Sequence, residues 1–316
     1  MGIASYIAEA IIREHKFKPI TGTVLLLGRQ TMFFSPEKAL ALLRTHGIAV
    51  PDVRPEDIEI DRQTLQSGEG PFILDEAFFK LLGVPKIRAL DYSAYEGADI
   101  IHDLNRPIPD QLEGFADFIL DGSTLDNMFS PAAGLMNIAR MLKPGGRLIG
   151  INMGSAHYAP YSVFTPYWFL DYFTVNAFAD CQIIQIVHHP DGTLETRIAD
   201  PAAEIGHAHP TEKVSGIFVF AEKGKNSTWD VMPEQRHYAS ERFKEIYRKA
   251  AEKESSRKNL PLIEPQPPSV PSAPETPPVP SAPVAEPPPV SPMVRLKSAI
   301  SARLQGWRSS AASDSA

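Results

Sequence analysis

Runs dominated by apolar residues alternate with amphipathic helical patterns through about the first 225 residues of this chain. The runs are short enough to be strands, and they occur at residues 24–27, 87–90, 100–101, 118–120, 148–151, 182–187 and 217–220. Strands separated by helices pair in parallel through crossover connections, so the pattern predicts an α/β fold with a mostly parallel sheet and helices on both faces. No helical pattern separates the last two runs, which we expect to form an antiparallel hairpin at the sheet edge.

The composition changes after residue 225 and divides the chain into four parts. We expect a folded domain, a charged helical extension, a disordered proline-rich linker, and a short basic amphipathic helix with a tail, at residues 1–225, 226–258, 259–292 and 293–316. Each proline fixes φ and removes a backbone donor, so the linker cannot build a packed core. Within the folded domain, residues 48–75 are an insertion rich in Asp, Glu and Gln, which is either a lid over a site or an excursion without a catalytic role.

Charge and cysteine content limit the classes of partner and compartment. The formal net charge is -7, so the chain offers no general attraction to nucleic acid, and we expect no nucleic-acid partner. Cys181 is the only cysteine, which excludes an intramolecular disulfide and favours a cytoplasmic location. The N-terminal pattern predicts an amphipathic helix rather than a signal peptide, and no run reaches the roughly 18 apolar residues of a membrane span.

The clearest local unit runs from residue 117 to residue 151. Ser130 can cap a helix, Pro131 suits its first turn, and apolar residues follow at helical spacing as far as Leu142. Gly145 can adopt the left-handed conformation that ends a helix. The unit is therefore predicted to be a strand, a loop, a helix, a glycine turn and a second strand.

Three stretches together resemble class I S-adenosylmethionine-dependent methyltransferases, a Rossmann-like family. The stretch FADFILDGSTLDNMFSPAAGLMNIARMLKPGGRLIGIN at 115–152 is similar to the segment between their fourth and fifth strands, including its Lys-Pro-Gly-Gly turn. IRALDYSAYEGADIIHDLNRPIP at 87–109 resembles their second and third strands, and FTPYWFLDYFTVNAF at 164–178 resembles the helix after strand five. The resemblance covers residues 21–222 and implies S-adenosylmethionine as the cofactor.

Acids at the predicted strand ends are the first cofactor-binding candidates. Ligands of an open parallel sheet bind beyond the carboxyl ends of its strands, where Asp91, Asp103 and Asp121 are expected. The resemblance implies that Asp91 accepts hydrogen bonds from the ribose diol and that Asp103 contacts the adenine amine. It places Asp121 and Gly122 where methyl donor and acceptor meet. Capping, turn formation and ordinary loop packing are the alternative roles.

The loop after the first strand departs from the family pattern. The family carries an acid two residues before a glycine, followed by further glycines at alternate positions, whereas here Leu26 replaces the acid and Gln30 and Met32 replace the later glycines. Gly28 remains. The resemblance makes Gly28, Arg29 and Gln30 candidates for the methionine end of the cofactor, with Arg29 pairing with its carboxylate. Alternatively, Arg29 and Gln30 are loop residues over a remodelled or empty pocket.

Methyl transfer from a sulfonium depends on alignment, and a general base helps when the acceptor is a hydroxyl. His157 is our first candidate for that base, because it follows the fifth predicted strand, and Asp126 is the second. A surface or capping role is the alternative for His157. The remaining histidines lack ligand spacing to an acid or cysteine cluster, so no metal is expected.

Two functional classes fit these features. The first is an S-adenosylmethionine-dependent methyltransferase that acts on a small molecule or glycan. The second is a catalytically silent methyltransferase-like module for binding or scaffolding, which the altered glycine loop favours. Independently, the basic helix within 293–316 is compatible with a peripheral membrane contact, a protein partner, or a solvated tail.

Overall fold

The computed structural model describes residues 2–155, 161–188, 194–202 and 213–257. The candidate base His157, the linker predicted at 259–292, and the basic helix predicted at 293–316 with its membrane or protein partner lie outside these residues. Within the described ranges, no helix is both long enough and apolar enough to cross a membrane.

The elements alternate along the chain as the sequence pattern predicts. In chain order they are β1 (Gly2–Ile3), α1 (Ser5–Phe17), β2 (Thr23–Leu27), β3 (Thr31–Met32), α2 (Pro36–Thr45), α3 (Asp75–Leu81), β4 (Lys86–Asp91), β5 (Ile100–Ile101), β6 (Ala116–Gly122), α4 (Pro131–Met141), β7 (Leu142–Met153), α5 (Pro166–Val175), β8 (Asp180–His188), β9 (Leu194–Ile198), β10 (Lys213–Glu222) and α6 (Glu241–Glu252). All seven apolar runs lie within strands, so their prediction is confirmed.

Eight of the described strands form one sheet in the order β5-β4-β2-β6-β7-β10-β8-β9. The first five are parallel neighbours, which confirms the predicted Rossmann-like, mostly parallel sheet. The two late strands pair in antiparallel fashion as expected. However, β10 lies inside the sheet between β7 and β8, and β9 forms the outer edge by pairing with β8.

The sheet separates two apolar layers, because successive side chains of each strand point to opposite faces. In β2, Val24 and Leu26 pack in the layer that contains α1, α2 and α3, whereas Leu25 and Leu27 pack in the layer that contains α4 and α5. All four side chains are fully buried. A strand buried on both faces explains why this run is continuously apolar rather than alternating.

The turn after α4 differs from its prediction. Pro131 opens α4 as expected, but the Ser130 side chain makes no capping hydrogen bond. The helix ends at Met141, four residues before Gly145, because Leu142 already pairs with Ala116 as the first residue of β7. Gly145 does adopt a left-handed φ of 82°, but within a register shift of the strand, not at a helix end.

An ionic cluster joins the charged extension to the amino-terminal edge of the sheet. The carboxylate of Glu14 in α1 accepts from Arg147 Nη1 at 2.7 Å and from Arg257 Nη2 at 2.7 Å. Arg257 Nη1 also pairs with Asp180 Oδ2 at 2.6 Å. Because Glu14 and both arginines are at least 97% buried, this cluster fastens the extension to the domain.

Candidate functional site

The candidate site is a cleft of about 370 Å³ at the carboxyl ends of the parallel strands. From β2 the chain crosses first to β4 and β5 on one side, and later to β6 and β7 on the other side. The strand order therefore reverses between β2 and β6, which is where such sheets bind ligands. The cleft is lined by Gly28, Leu90, Asp91, Tyr92, His102, Asp103, Leu104, Asn105, Thr124, Asn127, Met128, Phe129 and Tyr161.

Gly28 forms the floor of the cleft directly after β2. Its φ is 76°, a left-handed conformation that glycine adopts without steric cost. Its backbone N–H donates to the carbonyl of Leu90 at 2.7 Å, which ties the loop to β4. A Cβ at this position would lie 3.4 Å from Asp91 Oδ2, so the glycine also keeps the space beside that carboxylate open.

Asp91 and Asp103 lie on the same cleft, as the strand-end argument predicts. Asp91 Oδ1 accepts from the backbone N–H of Ser93 at 3.4 Å. Asp103 Oδ1 accepts from the backbone and side-chain nitrogens of Asn105 at 2.9 and 2.8 Å. These hydrogen bonds hold the pKa of Asp103 below its usual range, so the carboxylate stays ionised. The contacts of Asp91 and Asp103 with ribose and adenine stay predictions.

Arg29 does not line the cleft. Its guanidinium is buried and pairs with Asp75 and Glu76 at the start of α3, at 2.5 Å in each case. The guanidinium nitrogens that the resemblance assigns to the cofactor carboxylate are therefore already paired with two carboxylates of the protein itself. The physical reason is that a buried guanidinium requires charged partners, and the first two residues of α3 supply them.

Gln30 is also buried, and its side chain lies beside Gly122 at the end of β6. A Cβ at Gly122 would stand only 2.0 Å from Gln30 Oε1, so the glycine is needed for this packing rather than for open access to a ligand. Gln30 Nε2 donates to the carbonyls of Leu27 at 3.0 Å and Gly28 at 3.3 Å. Gln30 thus fills the space between the ends of β2 and β6.

Asp121 lies at the end of β6 but is only 1% exposed. Its Oδ2 accepts from Asn152 Nδ2 at 2.8 Å, and its Oδ1 accepts from the backbone N–H of Thr124 at 2.7 Å. Burial raises the pKa of Asp121 to about 7. The carboxyl group therefore supports the β6 and β7 ends, and the cleft is lined by its neighbour Thr124 instead.

The second candidate base, Asp126, is completely buried. It accepts hydrogen bonds from the Ser123 hydroxyl, from Asn127 Nδ2 at 3.1 Å, and from the backbone N–H of Met153 at 2.8 Å. These bonds hold the loop after β6 against the end of β7, and Ser123 adopts a left-handed φ of 70° within that loop. The geometry indicates a positioning role for Asp126, with Asn127 presented to the cleft.

Tyr92, His102 and Phe129 line the cleft but were not assigned to a site from the sequence. Tyr92 and His102 directly follow the ends of β4 and β5, so strand-end position was the available signal. Phe129 and Tyr161 are 84% and 66% exposed and stack edge to face with centroids 6.1 Å apart. Two exposed aromatic rings at the mouth of a cleft form a surface for a flat ligand.

The predicted insertion does not contribute to the cleft. None of the lining residues belongs to 48–75. Residues of the insertion line a separate groove of about 520 Å³ with the start of α2. Among the residues whose positions are described, no three His, Cys, Asp or Glu side chains are grouped to hold a metal ion.

Comparisons with known proteins find similarity in solved structures. No family model matches the chain, and no curated protein matches it. Similar structures include the Burkholderia thailandensis 1,6-didemethyltoxoflavin-N1-methyltransferase with bound S-adenosylhomocysteine (14% identity, 69% of this chain and 77% of that chain, TM-score 0.35). Others are S-adenosylmethionine-dependent methyltransferases from Archaeoglobus fulgidus (9%, 69% and 93%, TM-score 0.36) and Aquifex aeolicus (16%, 68% and 88%, TM-score 0.33). The solved structures that are similar to this Rossmann-like chain thus include S-adenosylmethionine-dependent methyltransferases, the family that its sequence resembles.

Proposed function

We propose that the chain is an S-adenosylmethionine-dependent methyltransferase whose cleft binds the nucleoside part of the cofactor. The observation that carries the proposal is the assembly of Gly28, Asp91 and Asp103 on one cleft at the reversal of strand order. Gly28 allows close approach of a ligand, and carboxylates accept hydrogen bonds from ribose hydroxyls and from an adenine amine.

The charge of the cleft favours this class of ligand. Its ionisable lining residues are Asp91, Asp103, His102 and two tyrosines, with no lysine or arginine among them. A nucleotide phosphate would meet two carboxylates without a cationic partner. The carboxylates attract the positive charge of a sulfonium, and an uncharged nucleoside meets no electrostatic repulsion from them.

The acceptor is proposed to be a small molecule or glycan that lies against the aromatic pair Phe129 and Tyr161. Rings of this kind pack on flat ligands or sugar faces, and both side chains stand at the cleft mouth. The residues would align acceptor and sulfonium for displacement. When bound, the cofactor supplies the electrophilic methyl group.

One observation favours the second candidate, a silent binding module. Gln30 occupies the space beside Gly122, where the sequence resemblance puts the reacting end of the cofactor. A silent module would bind the nucleoside without transferring the methyl group. Binding together with the absence of turnover on a broad acceptor panel would identify it.

Asp91→Ala is expected to weaken binding of S-adenosylhomocysteine by about tenfold or more, because a hydrogen-bonded charged partner of the ligand is lost. Isothermal titration calorimetry of the full chain would measure the effect. Asp52→Ala, an exposed aspartate outside the cleft, is the matched control and should bind as the wild type does. Unchanged affinity of Asp91→Ala would show that the ribose contact is misplaced. If the wild type gives no binding heat and no thermal shift at millimolar ligand, the proposed function is wrong.

A further inference from the structure

We propose that the Gln30 side chain is a gate that closes the β2–β6 end of the cleft. It makes the site discriminate little between nucleosides with and without an amino-acid tail. The inference rests on the proposed function, because it takes the nucleoside to occupy the cleft. Gln30 would thus influence specificity although its side chain does not line the cleft.

The order of the strands sets the direction in which a ligand must lie. Along the carboxyl edge, Asp103 follows β5, Asp91 follows β4, Gly28 follows β2, and Thr124 follows β6. A nucleoside held by Asp91 and Asp103 covers the β4–β5 end. Any group attached to its 5′ carbon therefore extends toward β2 and β6, where Gln30 lies.

Gln30 fills the buried space between the ends of β2 and β6, next to Gly28 and Thr124, which line the cleft there. The side chain is 2% exposed, and its Oε1 lies 2.0 Å from where a Cβ of Gly122 would be. A ligand tail that reaches Gly122 and the Gln30 side chain cannot occupy the same volume. Binding a tail thus requires the Gln30 side chain to leave, and the cost of that conformational change reduces the apparent affinity.

The same contacts show why the side chain can move while the loop stays in place. The backbone N–H of Gln30 donates to Asp75 Oδ2 at 2.8 Å, and Arg29 pairs with Asp75 and Glu76, so the backbone is anchored to α3. In contrast, Gln30 Oε1 is buried without a hydrogen-bond partner among the described residues. Moving the side chain loses two bonds to carbonyls and lets Oε1 regain a donor, from water or from the ammonium of a ligand.

Charge adds little to hold an amino-acid tail in the closed site. The guanidinium of Arg29 pairs with two acids, and the cleft lining itself contains no lysine or arginine. A tail carboxylate therefore finds no free cation among the residues that line the cleft. The new contacts of the tail therefore offset little of the cost of displacing the Gln30 side chain. For this reason we expect similar affinities for nucleosides with and without the tail.

Two nucleosides that differ in the tail test the gate in the full-length chain. S-adenosylhomocysteine carries the amino-acid tail, and 5′-methylthioadenosine lacks it. We expect the wild type to bind both within about threefold of each other, whereas Gln30→Ala should bind S-adenosylhomocysteine about tenfold more tightly and 5′-methylthioadenosine within about twofold of the wild type. Gln30→Asn, with a shorter side chain, should give an intermediate gain for the tail-bearing ligand.

The controls separate the gate from the function on which it rests. Gln63→Ala, an exposed glutamine outside the cleft, should change neither affinity. If the wild type prefers S-adenosylhomocysteine by about tenfold or more, or if the Gln30 variants change both affinities equally, the gate is wrong and the proposed function stands. If neither nucleoside binds the wild type or the folded variants, both the function and the gate are overturned.

Discussion

Glu14→Ala is expected to lower the free energy of unfolding by about 3–5 kcal/mol, because it leaves two buried guanidinium groups without their shared partner. Glu14 Oε1 accepts from Arg147 Nη1 and Arg257 Nη2, and Glu14 Oε2 accepts from Arg257 Nε at 3.0 Å. Arg257 keeps Asp180, whereas Arg147 keeps backbone carbonyls such as that of Lys18 at 2.7 Å and its contact with the Phe118 ring. Removing the acid thus leaves Arg147 buried without its carboxylate partner and leaves Arg257 with one carboxylate instead of two.

Urea unfolding followed by circular dichroism would measure this loss. Glu113→Ala is the matched control, because Glu113 also pairs with an arginine, Arg140, but its side chain is 55% exposed. Solvent screens such a pair, so the control should lose less than about 1 kcal/mol. Equal losses in the two variants would mean that the buried cluster contributes no more than a surface pair. In that case the apolar contacts of α6 and other polar contacts, such as the pair between Arg236 and Asp171, hold the extension to the domain.

Asp121→Asn is expected to make the protein less sensitive to rising pH. Burial raises the pKa of Asp121 from its usual 3.8 to about 7. Between these values the folded state holds a proton that the unfolded state has released, so stability is full below about pH 4 and is lost as pH rises through about 7. The amide resembles the protonated acid and does not titrate. The variant should therefore exceed the wild type by about 2–4 kcal/mol at pH 8, and by much less at pH 4.

The hydrogen bonds around Asp121 support this expectation. Thr124 N–H can donate to the amide oxygen of the variant as it does to the carboxylate. Asn152 Oδ1 is buried without a partner among the described residues, and rotating the Asn152 amide lets it accept from the amide nitrogen of the variant or from protonated Asp121. Urea titrations at the two pH values would test the prediction, with Asp52→Asn as the exposed control of equal charge change. An advantage of Asp121→Asn that does not depend on pH would contradict it.

Most of the fold could be predicted from local patterns. The runs at 24–27 and 118–120 are continuously apolar because their strands are buried on both faces, and that burial made them recognisable. The position of β10 could not be predicted in this way. Its apolar residues fit an edge hairpin or an interior strand equally well, and only its pairing with both β7 and β8 distinguishes the two.

In the candidate site, too, local sequence predicts some features, whereas others depend on tertiary contacts. Strand-end position is a local property, so the sequence by itself determined that Gly28, Asp91 and Asp103 would lie at one edge of the sheet, and they share a cleft. Whether a side chain faces that cleft depends on what packs beside it. Only the tertiary structure placed Asp75 of α3 next to Arg29, 46 positions away in the chain, and Gly122 next to Gln30. No local pattern encodes contacts between residues so far apart.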